Sequence, residues 1–302
     1  MQKIRALFID IDGTLLDSRQ RITPAVRDAL LAFQKAGGVV VLSSARPYAG
    51  MRSYGEALGL ASYGGYYAAF SGGQLIDAAT LSEISAQAFS PEDAAFIVQT
   101  IRQLEQKTQQ AALDGLSVTP LTLEKAWQIH DLVNKTSLNL MTYQGETLIV
   151  QRLEPYAAAE MLVNQLKLEV RPDFTAALDF APDKFLVSGD PALIGALCPQ
   201  VKALLPRCEV AVSDPFFMEI TPPGVHKGRA LETLAARLDI PVEAIAAIGD
   251  SENDLPMIQR AGVGVAMANA PEPVRQAADF VTRSNDEDGV AWFIHSFVLT
   301  SF

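Results

Sequence analysis

Two pairs of aspartates, Asp10 with Asp12 and Asp250 with Asp254, have the spacing of residues that bind a cation or carry out acid–base chemistry. Asp10 and Asp12 are two residues apart, so their side chains point to the same side of an extended chain. Asp254 follows Asp250 by four residues, which places both on one face of a helix. Neighbouring carboxylates repel by about 4 kcal/mol at 4 Å and an effective dielectric of 20. We therefore expect a bound cation and a chemical role for these acids.

Each acidic pair follows a segment whose composition predicts a buried strand. Residues 4–11 are apolar and β-branched almost throughout, and the apolar run "AIAAIGD" ends at Asp250. Such runs are typical of parallel strands buried on both faces. Gly13 supplies the backbone freedom for a sharp turn before Thr14, and ligands in open α/β sheets bind at the carboxyl ends of strands. The alternatives are an Asx-type turn for the first pair and simple helix capping for the second.

Two further side chains fall where a phosphate group would need partners. Ser44 comes just past the apolar run "VVVLSS", and its hydroxyl could donate a hydrogen bond to a phosphate oxygen. Lys227 stands at the start of a predicted helix, where a cation opposes the helix dipole and therefore suggests a bound anion. Taken singly, a turn serine and a solvated lysine are the ordinary interpretations.

The elements around these residues predict an α/β fold with an inserted module. Residues 1–83 and 224–302 alternate strand and helix, which predicts a parallel sheet with right-handed crossovers. Residues 84–223 contain alternating segments and helices starting near Leu121, Pro155 and Asp190. This pattern predicts an α+β module with an antiparallel sheet that has helices on one face and an exposed second face.

Composition excludes several classes of function. The 302 residues are 49% hydrophobic and carry a net charge of −11, which argues against nucleic acid or an anionic membrane as a partner. No apolar stretch approaches the roughly 20 residues of a membrane span, and the first strand leaves no room for a signal peptide. Two cysteines in such a chain indicate reduced thiols and a cytoplasmic location. Oligomeric state stays open.

Taken together, these segments resemble one family over nearly the whole chain. The chain is similar to the haloacid dehalogenase superfamily of phosphotransferases, and within it to the Cof-type (type IIB) phosphatase branch. The matching motifs are "DIDGTLL", "SSAR", "HKG" and "GDSENDLPMI". There are two departures: Ser43–Ala45 replace the usual A-T-G, and Ser71–Gly73 replace the usual N-G-A. The resemblance implies a Rossmann-like parallel-sheet core with an inserted α+β cap domain that selects the substrate.

The resemblance also implies a mechanism for hydrolysing small phosphomonoesters, such as a sugar phosphate or a similar metabolite. Asp10 would be the nucleophile that forms an aspartyl-phosphate, and Asp12 the general acid and then the general base. Mg²⁺ would bind Asp10, Asp250, Asp254 and the backbone carbonyl of Asp12. The residues expected to contact the phosphoryl group or substrate are Lys227, Ser44, Gly13, Thr14, Arg46 and Asn253.

Some assignments are left with alternatives. Asn253 would steady Lys227 or the phosphate, and Arg46 would reach the substrate or, as the favoured choice, pair with an acid on the cap. A sugar phosphomutase of the same superfamily would carry the same motifs but return the phosphoryl group to a sugar. A regulator that binds a phosphorylated metabolite without turnover is the third interpretation, although binding alone has no need of an acid–base group at Asp12.

Overall fold

The chain forms two compact units in the computed structural model, which describes residues 3–114, 116, 122–174 and 178–301. The core unit comprises residues 1–87 and 225–302, and the inserted unit comprises residues 88–224. The first boundary lies beyond the expected residue 83, because Glu83–Ala86 pairs with a strand of the core unit. Within the described part of the chain, no helix is both long enough and apolar enough to span a membrane.

The strands alternate with helices at both ends of the chain. In chain order, the strands are β1 (Ala6–Ile9), β2 (Val39–Ser43), β3 (Tyr66–Ala69), β4 (Gln74–Asp77), β5 (Glu83–Ala86), β6 (Leu138–Gln144), β7 (Thr147–Val150), β8 (Lys167–Val170), β9 (Phe185–Gly189), β10 (Glu209–Asp214), β11 (Phe217–Thr221), β12 (Ile245–Gly249), β13 (Val263–Ala266) and β14 (Phe280–Val281). The helices are α1 (Pro24–Lys35), α2 (Tyr48–Ala57), α3 (Leu60–Tyr63), α4 (Pro91–Asp114), α5 (Leu123–Thr136), α6 (Pro155–Val163), α7 (Pro191–Leu204), α8 (Lys227–Leu238), α9 (Leu255–Arg260), α10 (Glu272–Ala277) and α11 (Gly289–Phe293).

The sheet of the core unit confirms the predicted parallel α/β architecture. Its strand order is β14–β13–β12–β1–β2–β3–β4–β5, and the strands from β14 to β3 are parallel. β4 and β5, which sequence patterns do not predict, add an antiparallel edge. Every residue of β1 and of β12 is buried, as expected for strands covered on both faces.

The strand order places three predicted site residues side by side. β1 lies between β12 and β2, and Ile9 is in register with both Ile248 and Leu42. Asp10 directly follows β1, Ser44 directly follows β2, and Asp250 directly follows β12. Their backbones therefore leave the sheet at one edge, where the strands' carboxyl ends meet.

The sheet of the inserted unit departs from its prediction in two ways. Its order is β10–β11–β9–β6–β7–β8, and all its pairs are antiparallel except β7 with β8, which is parallel. The expected exposed face is wrong for β6, because Leu138–Tyr143 are all buried. Helices α4 and α7 pack against one face, and the Tyr143 hydroxyl donates to Glu160 of α6 from the other.

The predicted helix starts in this unit are close to those observed. α6 begins at Pro155, and the side chain of Asp190 accepts a hydrogen bond from Ala192 N at the start of α7. α5 begins at Leu123 after a capping Thr122. The start expected near Leu121 lies outside the described residues.

Candidate active site

Asp10 forms a hydrogen bond through one carboxylate oxygen, and its other oxygen has no partner among the described residues. It is 4% exposed, and its Oδ1 accepts a hydrogen bond from Lys227 Nζ at 2.6 Å. Oδ2 is buried and has no hydrogen-bond partner among the described residues. An unpaired buried carboxylate oxygen is costly unless a ligand completes it. The residue therefore has the arrangement of a group that binds or attacks a ligand.

Lys227 is a buried ion-pair centre rather than a solvated lysine. It is the first residue of α8, whose N-terminus is capped by His226 Nδ1 accepting from Arg229 N. Its side chain has no exposed surface, and its Nζ also donates to Asp254 Oδ1 at 2.6 Å. Burial lowers the pKa of Lys227, but Asp10 and Asp254 more than offset this and hold the pKa above its ordinary value. The two carboxylates therefore favour the charged ammonium form of this side chain.

Asp254 is fixed by a dense set of donors. Its Oδ2 accepts hydrogen bonds from the backbone N–H groups of Asp250 and Ser251, both at 3.0 Å, and from Ser251 Oγ at 3.1 Å. Its Oδ1 is taken by Lys227. The residue forms part of a capping box at the short turn that precedes α9. Asp254 thus locks the strand-to-helix turn that carries Asp250.

The turn after β1 needs glycine for two reasons. Gly13 has φ of +81°, in the left-handed region that glycine adopts readily. A Cβ at this position would lie 2.4 Å from Asp250 Oδ2. The next residue, Thr14, donates from Oγ1 to Asp250 Oδ1 at 3.2 Å. The Thr14 hydroxyl therefore contacts an acid of the site, and the expected contact of Thr14 with the phosphoryl group stays a prediction.

The acids of this site fit a divalent cation. Carboxylate oxygens of Asp10, Asp250 and Asp254 lie within 4.8 Å of one another. Among the described residues Lys227 is the cation paired with these acids. Three ionised carboxylates therefore leave an excess of two negative charges, and oxygen ligands suit Mg²⁺. Asp10 Oδ2, which has no hydrogen-bond partner among the described residues, is the atom most available for a metal.

The pKa values of the acids reflect this excess of negative charge. Burial, followed by the charge of Asp254, raises the pKa of Asp10 well above 3.8, although Lys227 counteracts this. Burial and Asp254 also raise the pKa of Asp250 to about 6. A bound cation would favour the ionised form of both groups.

Asp12 is exposed and pairs with Arg46. Arg46 Nε donates to Asp12 Oδ2 at 2.7 Å and Nη2 donates to Oδ1 at 2.6 Å. Arg46 thus has an acid of the core unit as a partner, while its pairing with an acid on the cap and its contact with the substrate stay predictions. The two residues are 34 positions apart in sequence but meet at neighbouring strand ends. The roles of Asp12 as acid–base group and of its carbonyl as a metal ligand stay predictions.

Ser44 directly follows β2 at this edge of the sheet, and Asn253 has Ser251 as a hydrogen-bond partner. Ser44 is 2% exposed, and its Oγ accepts a hydrogen bond from Arg46 N at 3.2 Å, which leaves its proton free to donate. The amide oxygen of Asn253 accepts from Ser251 Oγ at 2.7 Å. Asn253 is exposed, so a role toward the phosphate stays a prediction, while the described bonds of Lys227 go to Asp10 and Asp254.

Sequence reasoning missed one polar residue at this edge of the sheet. Asn269, in the segment "AMANA" after β13, donates from Nδ2 to the carbonyl of Gly13 at 2.9 Å. The segment stands out in the sequence as a short motif, but its spacing from the acids gives no sign of this contact. Only the adjacency of β12 and β13 brings it to the turn.

Comparisons with known proteins agree with this geometry. Residues 7–294 match the family model of haloacid dehalogenase-like hydrolases. The chain belongs to this family. It is 32% identical over 296 residues to YxeH of Bacillus subtilis (strain 168), covering 98% of both chains. It is 28% identical over 305 residues to Phosphatase YwpJ of the same organism, covering 95% of this chain and 98% of that one. The chain is an enzyme of the phosphatase type within the haloacid dehalogenase-like hydrolases.

Solved structures of the family share the fold over almost the full length. A haloacid dehalogenase-like hydrolase from Bacteroides thetaiotaomicron aligns with a TM-score of 0.78 and 30% identity, covering 97% of this chain and 99% of that one. The subclass IIB sugar phosphatase BT4131 aligns with a TM-score of 0.73 and 22% identity, covering 97% and 98%. The second likeness bears on the fold, and it is the fold expected for the Cof-type branch.

Proposed function

We propose that this haloacid dehalogenase-like hydrolase is a Mg²⁺-dependent phosphatase that acts on small phosphomonoesters through an aspartyl-phosphate on Asp10. The observation that carries the proposal is the state of the Asp10 carboxylate. Lys227 holds Oδ1 at 2.6 Å, and Oδ2 is buried without a partner among the described residues. One oxygen is thus fixed in place while the other is available to a ligand.

In the first half-reaction, a carboxylate oxygen of Asp10 forms a bond to phosphorus and the bond from phosphorus to the ester oxygen breaks. Asp12 gives its proton to the departing oxygen, so the product leaves as an alcohol. Splitting hydrolysis in this way replaces one difficult displacement by two easier ones. Lys227 holds the Asp10 carboxylate in a single orientation toward the phosphoryl group.

In the second half-reaction, water attacks phosphorus and the bond to Asp10 breaks. Asp12, now a carboxylate, takes the proton of the attacking water and returns to its starting form. Inorganic phosphate leaves and Asp10 is regenerated. The bidentate contact from Arg46 supports the role of Asp12 in both half-reactions, because it fixes the orientation of this carboxyl group.

The charge balance of the site supports the cation. Asp10, Asp250 and Asp254 would hold Mg²⁺, which when bound would offset their excess negative charge and that of the phosphoryl oxygens. Lys227 stays paired with the Asp254 carboxylate while Asp10 carries the phosphoryl group. Ser44 Oγ–H and the backbone N–H groups of the turn after β1 would donate to the phosphoryl oxygens.

The substrate class follows from the family and from charge. With a net charge of −11, the protein offers an anionic substrate attraction only at a local site, which suits a small phosphorylated metabolite. We propose that the inserted unit selects among such esters and excludes bulk water, as a lid would. Cys198 and Cys208 are both free thiols, which supports a reducing compartment such as the cytoplasm.

The test measures phosphate release from p-nitrophenyl phosphate, followed by a panel of sugar phosphates and other small monoesters. We expect turnover with Mg²⁺ and none with EDTA. Asp10→Asn should lower turnover by about a thousandfold or more. Asp28→Asn is the matched control, because Asp28 is an exposed aspartate of α1 that pairs with Arg27. Acid-quenched enzyme should carry one phosphoryl group that Asp10→Asn lacks.

Two results would contradict the proposal. Transfer to a sugar that needs a bisphosphate, without phosphate release, would indicate a phosphomutase. Stabilisation by a phosphorylated metabolite with no turnover on any ester would indicate a binding regulator.

A further inference from the structure

Asp250 is held at both carboxylate oxygens by side chains from different segments of the core unit. Thr14 Oγ1 donates to Oδ1 at 3.2 Å, and Asn269 Nδ2 approaches Oδ2 at 3.4 Å. The same Nδ2 donates to the Gly13 carbonyl at 2.9 Å. Asn269 therefore bridges the turn after β1 and the acid after β12.

Asn285 fixes the orientation of the Asn269 amide. The backbone N–H of Asn285 donates to Asn269 Oδ1 at 3.1 Å, and Asn285 Nδ2 donates to the Leu16 carbonyl at 2.9 Å. A backbone N–H can only donate and a carbonyl can only accept, so Oδ1 and Nδ2 of Asn269 cannot be exchanged. Its donor face is thereby aimed at Gly13 and Asp250.

The loop that carries Asn285 is itself anchored to the turn after β1. Asp286 Oδ1 accepts from Ser18 N at 2.8 Å, and Ser284 with Glu287 forms a capping box in the same loop. The chain from Ser284 to Asp288 thus lies along residues 16–23, with Thr23 Oγ1 donating to Asp288 Oδ1 at its far end. Asn269 sits between this anchored loop and the acidic cluster.

We propose that Asn269 is a positioning residue that orients the Asp250 carboxylate for the metal, with Asn285 supporting it. The inference rests on the Mg²⁺ dependence proposed above. Asn269 is exposed, and an exposed amide hydrogen bond adds only about 1 kcal/mol to stability. Groups that orient a metal ligand, in contrast, commonly change metal affinity by about tenfold or more when removed.

The experiment measures Mg²⁺ binding by isothermal titration calorimetry on the full chain without substrate. Asn269→Ala should weaken the Kd for Mg²⁺ by about tenfold. Asn285→Ala should weaken it by a few-fold in the same direction. Gln276→Ala is the matched control, because Gln276 is a surface amide of the same unit that donates to Glu272. Its Kd should equal that of the wild type.

A kinetic readout separates positioning from folding. For Asn269→Ala, the Mg²⁺ concentration for half-maximal activity should rise about tenfold, while kcat at saturating Mg²⁺ stays within about threefold of the wild type. A purely structural role would lower kcat and leave the Mg²⁺ requirement unchanged. If Asn269→Ala does not fold, Asn285→Ala decides by the same two measurements.

The outcomes distinguish this inference from the proposed function. Wild-type Mg²⁺ binding with an unchanged Kd in both asparagine variants overturns the role of Asn269 alone. An equal loss in Gln276→Ala also overturns it. Absence of Mg²⁺ binding by the wild type overturns the proposed metal dependence and this inference with it.

Discussion

Arg46 and Asp12 form a bidentate ion pair, with Nε to Oδ2 at 2.7 Å and Nη2 to Oδ1 at 2.6 Å. The guanidinium carbon also lies 5.9 Å from the ring centroid of Tyr54. Two parallel bonds from a planar group fix the direction of a carboxylate in a way that a lysine ammonium cannot. The direction of the proposed acid–base group is therefore set by an arginine of the core unit.

We expect Arg46→Lys to lower kcat about tenfold and Arg46→Ala about a hundredfold, because a displaced Asp12 misses the ester oxygen and the attacking water. KM should change by less than about threefold. Steady-state kinetics on p-nitrophenyl phosphate provide the measurement. Arg52→Lys, which alters a partly exposed arginine beside Glu56, is the control. A raised KM with unchanged kcat would instead show that Arg46 binds substrate.

Removing the ammonium of Lys227 should destabilise the protein by about 3–5 kcal/mol, because Asp10 and Asp254 would be left as buried, uncompensated charges. Lys227→Met keeps most of the side-chain volume, and urea unfolding measures the change. The control Lys35→Met, at an exposed lysine of α1, should stay within about 0.5 kcal/mol. Adding Asp10→Asn to Lys227→Met should recover part of the loss. Full stability in the single variant would refute the ion-pair account.

Stabilisation by Mg²⁺ should increase with pH around the pKa of Asp250. Burial raises that pKa from 3.8 to about 6. In the metal-free protein, protonated Asp250 therefore adds its full stabilisation below the ordinary pKa of 3.8. This stabilisation is lost as pH rises through about 6. Mg²⁺ binds the carboxylate and has the opposite dependence. The rise in Tm on adding Mg²⁺ should be clearly larger at about pH 7.5 than at about pH 5. Differential scanning calorimetry at both pH values tests this, and an equal rise would contradict it.

A left-handed turn after β3 should be improved by asparagine. Ser71 has φ of 56° and ψ of 28°, between Phe70 and Gly72, which also have positive φ. Asparagine tolerates this region better than serine, and β-branched residues tolerate it poorly. Ser71→Asn should raise the free energy of unfolding by up to about 1 kcal/mol, and Ser71→Val should lower it by about 1–2 kcal/mol. Urea unfolding gives both values.

The control for this turn is Ser53→Asn, an exposed position inside α2, where the change should stay within about 0.5 kcal/mol. A gain of the same size at Ser53 would show that asparagine acts through something other than backbone conformation. The turn also matters for the site, because Ser71 N donates to the Ser44 carbonyl at 2.8 Å.

The features that sequence patterns predicted best were those set by buried strands. Long apolar runs mark β1 and β12, and a residue that directly follows such a run must lie at the sheet edge where ligands bind. For this reason the apolar runs alone predict that Asp10 and Asp250 lie at the same edge. Sequence patterns also placed Lys227 at a helix start, where a cation opposes the helix dipole. This unfavourable position indicated that Lys227 binds an anion.

Sequence patterns could not predict the side-chain pairings that depend on side-chain direction and on which strands are neighbours. Arg46 could reach several acids, and its pairing with Asp12 depends on the directions of both side chains. Thr14 and Asn269 meet Asp250 because β1, β12 and β13 are neighbours. The missed strands β5 and β8 have four residues each, carry charged side chains and lie at sheet edges, so they lack the apolar runs that reveal buried strands.

The central position of β1 has a consequence for how the protein is made. β1 is synthesised well before β12, yet the two strands pair, with Ala6 in register with Ile245. Closing so long a loop carries an entropic cost, and such non-local pairing slows folding. A nascent chain that ends before β12 carries Asp10 without Asp250 or Asp254 beside it. The inserted unit is contiguous in sequence and can therefore fold earlier. The active site, in contrast, can form only after Lys227, Asp250 and Asp254 have been synthesised.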